Sequence, residues 1–244
     1  MSAPRVVLLH GLGGSPAAWQ RVLPLLDPAT EVLAPALTHP TRIEDDADAV
    51  AALLEGQGPP AAPAVVVGHS RGGLVATALA ERHPHLVSRV VAVNSPPTTA
   101  SRPGSPGERA LALPALGPLL WRVMPRTAAA RGLETAFAPG HGVPEVFVDD
   151  LRATGRGPFV AASRAIDRYL DERPLPQRLA ALGVPVHVVL GARDQRLDLG
   201  AYAAEPSLRR TTLPDAGHTP PWEAPDEVAA LITSVTSTEP GDAR

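Results

Sequence analysis

Three polar residues stand where a nucleophilic mechanism needs them. Gly68-His69-Ser70-Arg71-Gly72 is a G-x-S-x-G motif, followed by a further glycine, Gly73. An apolar run precedes it and an Ala-rich run follows, which predicts a sharp strand-to-helix turn. Glycines at both ends let the backbones approach closely. The turn lifts the Ser70 hydroxyl above the sheet edge and sets it at a helix N-terminus, whose free N–H groups favour developing negative charge. A serine hydroxyl is a weak nucleophile until a base takes its proton, and the base needs an orienting acid. Gly191-Ala192-Arg193-Asp194 and Asp215-Ala216-Gly217-His218 each follow a strand-like run. Asp194 and His218 are therefore the candidate acid and base, with Asp198 as the alternative acid. A second glycine loop, His10-Gly11-Leu12-Gly13-Gly14, can aim the Leu12 N–H at an oxyanion, with the Arg71 N–H as its partner. A dinucleotide loop is excluded here, because Pro16 stands where the third glycine of G-x-G-x-x-G would fall.

These residues need a scaffold that brings loops from distant parts of the chain to one edge. The sequence predicts strands at 5–10, 31–34, 64–67, 87–93, 184–190 and 208–213, and helices at 16–26, 45–54, 72–82 and 225–235. Alternation of this kind implies βαβ units and a parallel sheet. The run Ala64–Val67 is apolar throughout, as expected of a strand covered on both faces. The pattern breaks after Asn94. Residues 96–177 are Pro-punctuated and rich in Arg, Ala and Leu, which predicts a mainly helical insertion. The core is expected at 1–95 and 178–236, with a polar, frayed tail at 237–244.

Composition bounds the chemistry further. The 244 residues hold no Cys, so disulfides, thiolate metal sites and a cysteine nucleophile are excluded. All 22 basic residues are Arg, so a lysine Schiff base and a P-loop lysine are excluded too. The formal charge of −3 argues against nucleic acid or an anionic membrane as a general partner. No membrane-length apolar run and no signal-peptide pattern is read, so a cytoplasmic protein is expected. No histidine pair has zinc spacing, so no metal is expected. His10 and His69 are expected to orient their loops. His187 is expected in the core, His83 and His85 at a helix end, and Asp149-Asp150 on a solvated face. Substrate contacts are sought at Trp19, Trp222 and His39, each of which has ordinary packing or surface placement as its alternative. His141 and the aromatic residues of the insertion are further candidates.

With HGLGG, GHSRGG, GARD and AGH in this order, each after a strand, the chain resembles the α/β-hydrolase superfamily in its small cofactor-free form. The resemblance covers about residues 5–95 and 180–236. It implies an α/β fold: a mostly parallel sheet flanked by helices, with an inserted helical cap. It also implies a Ser70–His218–Asp194 triad, an oxyanion hole from the Leu12 and Arg71 amides, no cofactor, and a small-molecule acyl substrate. Relatives often carry an extra β-hairpin ahead of the first-loop strand, so a shorter sheet is expected here. The function expected is a serine hydrolase acting on an ester or thioester. A non-hydrolytic lyase, cyclase or acyltransferase on the same scaffold is the alternative, and a ligand-binding receptor a further one. Arg71 departs from the apolar or amide residue common after the nucleophile. Its guanidinium either binds a substrate carboxylate or pairs with an acidic residue of the cap.

Overall fold

The computed structural model describes residues 5–57, 62–104 and 106–237. Six parallel strands form one sheet: β1 (Arg5–Leu9), β2 (Glu31–Leu33), β3 (Ala64–His69), β4 (Val87–Val93), β5 (Val186–Gly191) and β6 (Arg209–Leu213). Their order is β2-β1-β3-β4-β5-β6, and every neighbouring pair is parallel. The chain moves outward from β1 to β2 and then returns to the far side of β1 for β3. That reversal opens a crevice at the carboxyl ends of β1 and β3, where open parallel sheets bind ligands. Both glycine motifs emerge there.

The strands bury alternate residues on two faces. Val7, Leu9, Val66, Val90, Ala92 and Val188 join one core with the helices α1 (Ile43–Gly56) and α2 (Arg71–Arg82). Val6, Leu8, Val65, Val67, Val91 and Val189 join the other, against Trp19 and the C-terminal helix (Pro225–Ser237). The predicted helix at 16–26 is instead two short 3₁₀ turns, Pro16–Trp19 and Leu23–Leu25. Pro24 explains the difference, since it lacks an N–H and its ring clashes with the carbonyl four residues back. His187 is buried in β5 as expected, with Nε2 2.8 Å from Thr211 Oγ1.

Between β4 and β5 lie α3 (Pro106–Ala112), α4 (Gly117–Val123), α5 (Arg126–Leu133), α6 (Glu145–Thr154), α7 (Arg156–Glu172) and α8 (Leu175–Ala180). The segment closes on itself at its base, where Leu175 N–H donates to the Pro97 carbonyl at 2.9 Å. It does not pack as one body. Ala129, Val148, Leu151 and Phe159 form a small cluster of their own, whereas Ile166, Tyr169, Leu170, Leu175 and Leu179 join the main core. Asp149 is exposed as expected, but Asp150 is half-buried and accepts a 2.7 Å hydrogen bond from Ser15, tying α6 to the first glycine loop. After β6 come α9 (Pro220–Glu223) and α10 (Pro225–Ser237). Of the tail expected at 237–244, Ser237 is instead the last residue of the C-terminal helix, and 238–244 lie outside the described residues. Among the described residues, no helix is long and apolar enough to cross a membrane.

The Arg71 side chain takes neither expected place. It is buried, and Nη2 donates to Asp46 Oδ2 at 2.5 Å and to the His39 carbonyl at 3.1 Å. Asp46 lies in the first turn of α1, so this pair locks α1 to the start of α2. Removing one member of a buried pair strands the other charge. Asp46→Ala is therefore expected to destabilise the fold by about 3–5 kcal/mol. Asp46→Leu with Arg71→Met should recover most of that loss. Urea unfolding of both variants checks it; equal losses in the two would refute the pairing argument.

Candidate active site

Ser70 caps α2 with φ 52° and ψ −117°. The left-handed region is costly for a residue with a Cβ and persists only where the surroundings over-determine it. Here backbone packing does so. A Cβ on Gly68 would lie 2.2 Å from the Gly72 carbonyl oxygen, and one on Gly72 would lie 2.2 Å from that of Leu9. The motif glycines thus let β3, α2 and the end of β1 touch. Ser70 N–H donates to the Val93 carbonyl at 2.8 Å, which ties the turn to β4.

Ser70, His218 and Asp194 come together. Ser70 Oγ is 3.1 Å from His218 Nε2, and His218 Nδ1 is 2.8 Å from Asp194 Oδ2. The two partners assign the tautomer: Nδ1 carries the proton and donates to the carboxylate, so Nε2 is free to accept from the serine. Asp194 Oδ1 accepts from the Arg196 and Leu197 N–H groups at 2.7 and 3.1 Å. Burial opposes ionisation of Asp194, but His218 and these donors hold its carboxyl below the usual range. Asp198, the alternative acid, caps a 3₁₀ turn by accepting from Gly200 N–H. Leu12 lines the cavity beside Ser70. Arg71 is the first residue of α2, so its N–H belongs to the set that has no partner within the helix.

The histidine loop is held from several sides. His69 Nε2 donates to the His218 carbonyl at 2.8 Å. Glu223 accepts from the Gly217 and Thr219 N–H groups at 3.1 and 2.9 Å, and from Ala138 N–H at 2.6 Å. Asn94 is fully buried; its Nδ2 donates to Asp194 Oδ2 at 2.9 Å and to the Gly217 carbonyl at 2.8 Å, and its Oδ1 accepts from Gly191 N–H at 2.6 Å. Sequence reasoning missed Asn94 and Glu223. Asn94 carried a usable signal, as the first polar residue after an apolar strand on the edge that bears Ser70, Asp194 and His218. Glu223 carried none, because only the fold brings it back onto residues 217–219 and Ala138. His10 orients its loop as expected: Nδ1 donates to the Gly11 carbonyl and Nε2 accepts from Leu37 N–H.

A cavity of about 230 Å³ opens over Ser70 and His218. Its lining includes the first glycine loop, Ala18, Phe147, Arg102, Thr135, Gln195 and Arg196. The side chains expected to touch substrate are elsewhere. Trp19 is fully buried in the core beneath this edge. Trp222 stands edge-on to Phe147 at 5.1 Å, so Phe147 is the aromatic residue that meets the cavity. His39 is half-exposed and lies 3.3 Å from Asp46. The Arg71 guanidinium is held by Asp46, away from the cavity. His141 is exposed and stacks on Phe137. Amphipathic periodicity marks a buried face but not which buried residue meets a void.

Three buried histidines are held neutral, chiefly by burial: His69 is pushed down to about 3, His187 to about 4, and His10 downward. A base whose folded value lies below its unfolded one is protonated first in the unfolded chain. Stability is then complete above about pH 7 and falls as pH drops below about 6.5, by about 1.4 kcal/mol per pH unit for each of His69 and His187, with His10 acting in the same direction. Urea midpoints measured from pH 8 to pH 5 should decline accordingly. A constant midpoint over that range would contradict the buried neutral assignment.

The model of the alpha/beta hydrolase family matches residues 6–231. The pimeloyl-[acyl-carrier protein] methyl ester esterase of Aromatoleum aromaticum is 31% identical, over 96% of this chain and 99% of that protein. Among solved structures, the enol-lactonase of Burkholderia xenovorans LB400 aligns with a TM-score of 0.77 at 24% identity, over 98% of this chain and 93% of that one. A haloalkane dehalogenase variant from Bradyrhizobium elkanii aligns with a TM-score of 0.75 at 21% identity, over 96% and 89%. Likeness at such identities shows the fold alone.

Proposed function

The chain belongs to the alpha/beta hydrolase family, and on that footing we propose that it is a serine hydrolase cleaving a carboxylic ester or thioester through a Ser70 acyl-enzyme. The observation that carries the reading is the unbroken hydrogen-bonded line Ser70–His218–Asp194 at the floor of a cavity. The esterase name of a relative matched over almost its whole length supports it.

His218 Nε2 takes the Ser70 proton as Oγ adds to the substrate carbonyl carbon. The carbonyl oxygen becomes an oxyanion and is received by the Leu12 and Arg71 amides at the N-terminus of α2. His218, now an imidazolium stabilised by Asp194, gives its proton to the departing alkoxide or thiolate. Water enters, loses a proton to His218 and adds to the acyl-enzyme. Collapse releases the acid and returns the proton to Ser70. The segment 96–177 works as the cap: Phe147, Leu133 and Ala136 give the acyl chain an apolar wall, and its Thr135, with Gln195 and Arg196 from the loop after β5, gives a polar one. A carboxylate nucleophile, which dehalogenation in this fold uses, has no counterpart at position 70.

A p-nitrophenyl ester series from acetate to decanoate tests the reading, with an acyl thioester beside it. Ser70→Ala and His218→Gln should each lower kcat by about 10⁴-fold or more while leaving the fold intact. A fluorophosphonate should label Ser70 alone. Labelling without turnover of any ester or thioester would transfer the site to lyase, cyclase or acyl-transfer chemistry. Absence of labelling would refute the nucleophile.

A further inference from the structure

We propose that Asn94 is a positioning residue for catalysis at Ser70, because its carboxamide holds the acid's oxygen and the histidine's loop in a single register. This rests on the hydrolase reading above. Among the described residues, only Ser70 and Asn94 combine a side chain with positive φ, at 52° and 40°. Both stand directly after a core strand, Ser70 after β3 and Asn94 after β4. Asparagine tolerates that region better than most residues, but the conformation still needs surrounding contacts to hold it.

Those contacts require a carboxamide. Gly191 presents a donor to position 94, whereas Asp194 Oδ2 and Gly217 O present acceptors. One acceptor oxygen and two N–H donors on one short side chain are available only from asparagine. Aspartate has acceptors alone, and serine has one donor. The two ends of this clamp are the ones that matter to the chemistry. Asp194 Oδ2 is the same oxygen that receives His218 Nδ1, so Nδ2 fixes the carboxylate's rotation and stabilises its charge. Gly217 immediately precedes His218. The backbone continues the link: Asn94 N–H donates to the Val189 carbonyl at 2.9 Å, and Val93 accepts from Ser70. One residue thus touches the loops of the acid and the histidine, and its neighbour touches the nucleophile.

Two substitutions separate this role from bulk packing. Asn94→Gly removes the carboxamide while relieving the positive φ. Asn94→Asp keeps the shape but turns the donor into an acceptor facing two acceptors. It suits the site only when protonated, and then it serves only one of the two. The readouts are the rate of Ser70 phosphonylation by a fluorophosphonate, which needs no knowledge of the natural substrate, and kcat and KM on a p-nitrophenyl ester. Both are followed from pH 5 to pH 9, with melting temperature and circular dichroism recorded alongside.

Asn94→Gly is expected to slow phosphonylation and kcat by about 10²-fold at all pH values, with KM within about twofold, as expected of a misplaced base. Asn94→Asp should match that loss at pH 8 and regain part of it towards pH 5, displacing its profile to lower pH. Wild-type rates and profiles in both variants would overturn the proposal and leave the hydrolase reading intact. A loss in Asn94→Asp that is the same at every pH and tracks a fall in melting temperature would overturn it too, as the mark of packing alone. A wild-type Ser70 that the probe does not label would instead overturn the hydrolase reading, and this proposal with it.

Discussion

A serine at φ 52° between a strand and a helix is the constraint on which the site is built. The conformation is unfavourable by itself, and it aims the hydroxyl out of the sheet edge. It holds because three backbones meet with no side chain between them, Gly72 against Leu9 and Gly68 against Gly72, while Gly73 leaves room for the Ser95 side chain, whose Oγ would be 1.9 Å from an added Cβ. The parallel sheet supplies the geometry for that meeting. Its strand order puts β1 and β3 side by side at the reversal point, so that the two glycine loops share one crevice.

A second level of the design fixes the partners. The loops after β5 and β6 run together, with Arg193 N–H donating to the Ala216 carbonyl at 2.9 Å and no room for a Cβ between Gly191 and Gly217. Segment 136–138 is then pinned to both. Gln195 donates to the Phe137 carbonyl, Thr219 to the Ala136 carbonyl, and Ala138 N–H donates to Glu223. The segment between β4 and β5 therefore shares its fastenings with the acid and the histidine. Movement of its 136–138 stretch cannot be independent of His218.

The charged side chains show the same economy of place. Arg71 directly follows Ser70, yet its guanidinium serves to join α1 to α2 through Asp46. Arg102 reaches the cavity edge but is tied to Asp167 and Ser163 on α7. Arg196 lines the cavity while bonding to Thr135 and to the Gly132 carbonyl. In a chain whose only cationic long side chain is arginine, the planar multidonor head suits such bracing between elements.

Much of this was legible in the chain alone. Strands covered on both faces show as unbroken apolar runs, and glycine spacing reports a turn because steric exclusion is local. Ser70, Asp194 and His218 could be read because each follows a strand whose carboxyl end must lie on one edge of a parallel sheet. The helix expected at 16–26 failed on a local rule, the proline at position 24. Other features had no local rule to follow. Which residues line the void, whether Arg71 faces substrate or an acidic side chain, and what Glu223 holds depend on contacts between residues far apart in sequence, such as 46 with 71 and 138 with 223. Periodicity tells a residue that it is buried; only the packed structure decides against what. Asn94 lies between the two cases. Its place at a strand end was visible, but its work depends on three backbone and side-chain groups, at positions 191, 194 and 217, that the fold alone brings within hydrogen-bonding distance of it.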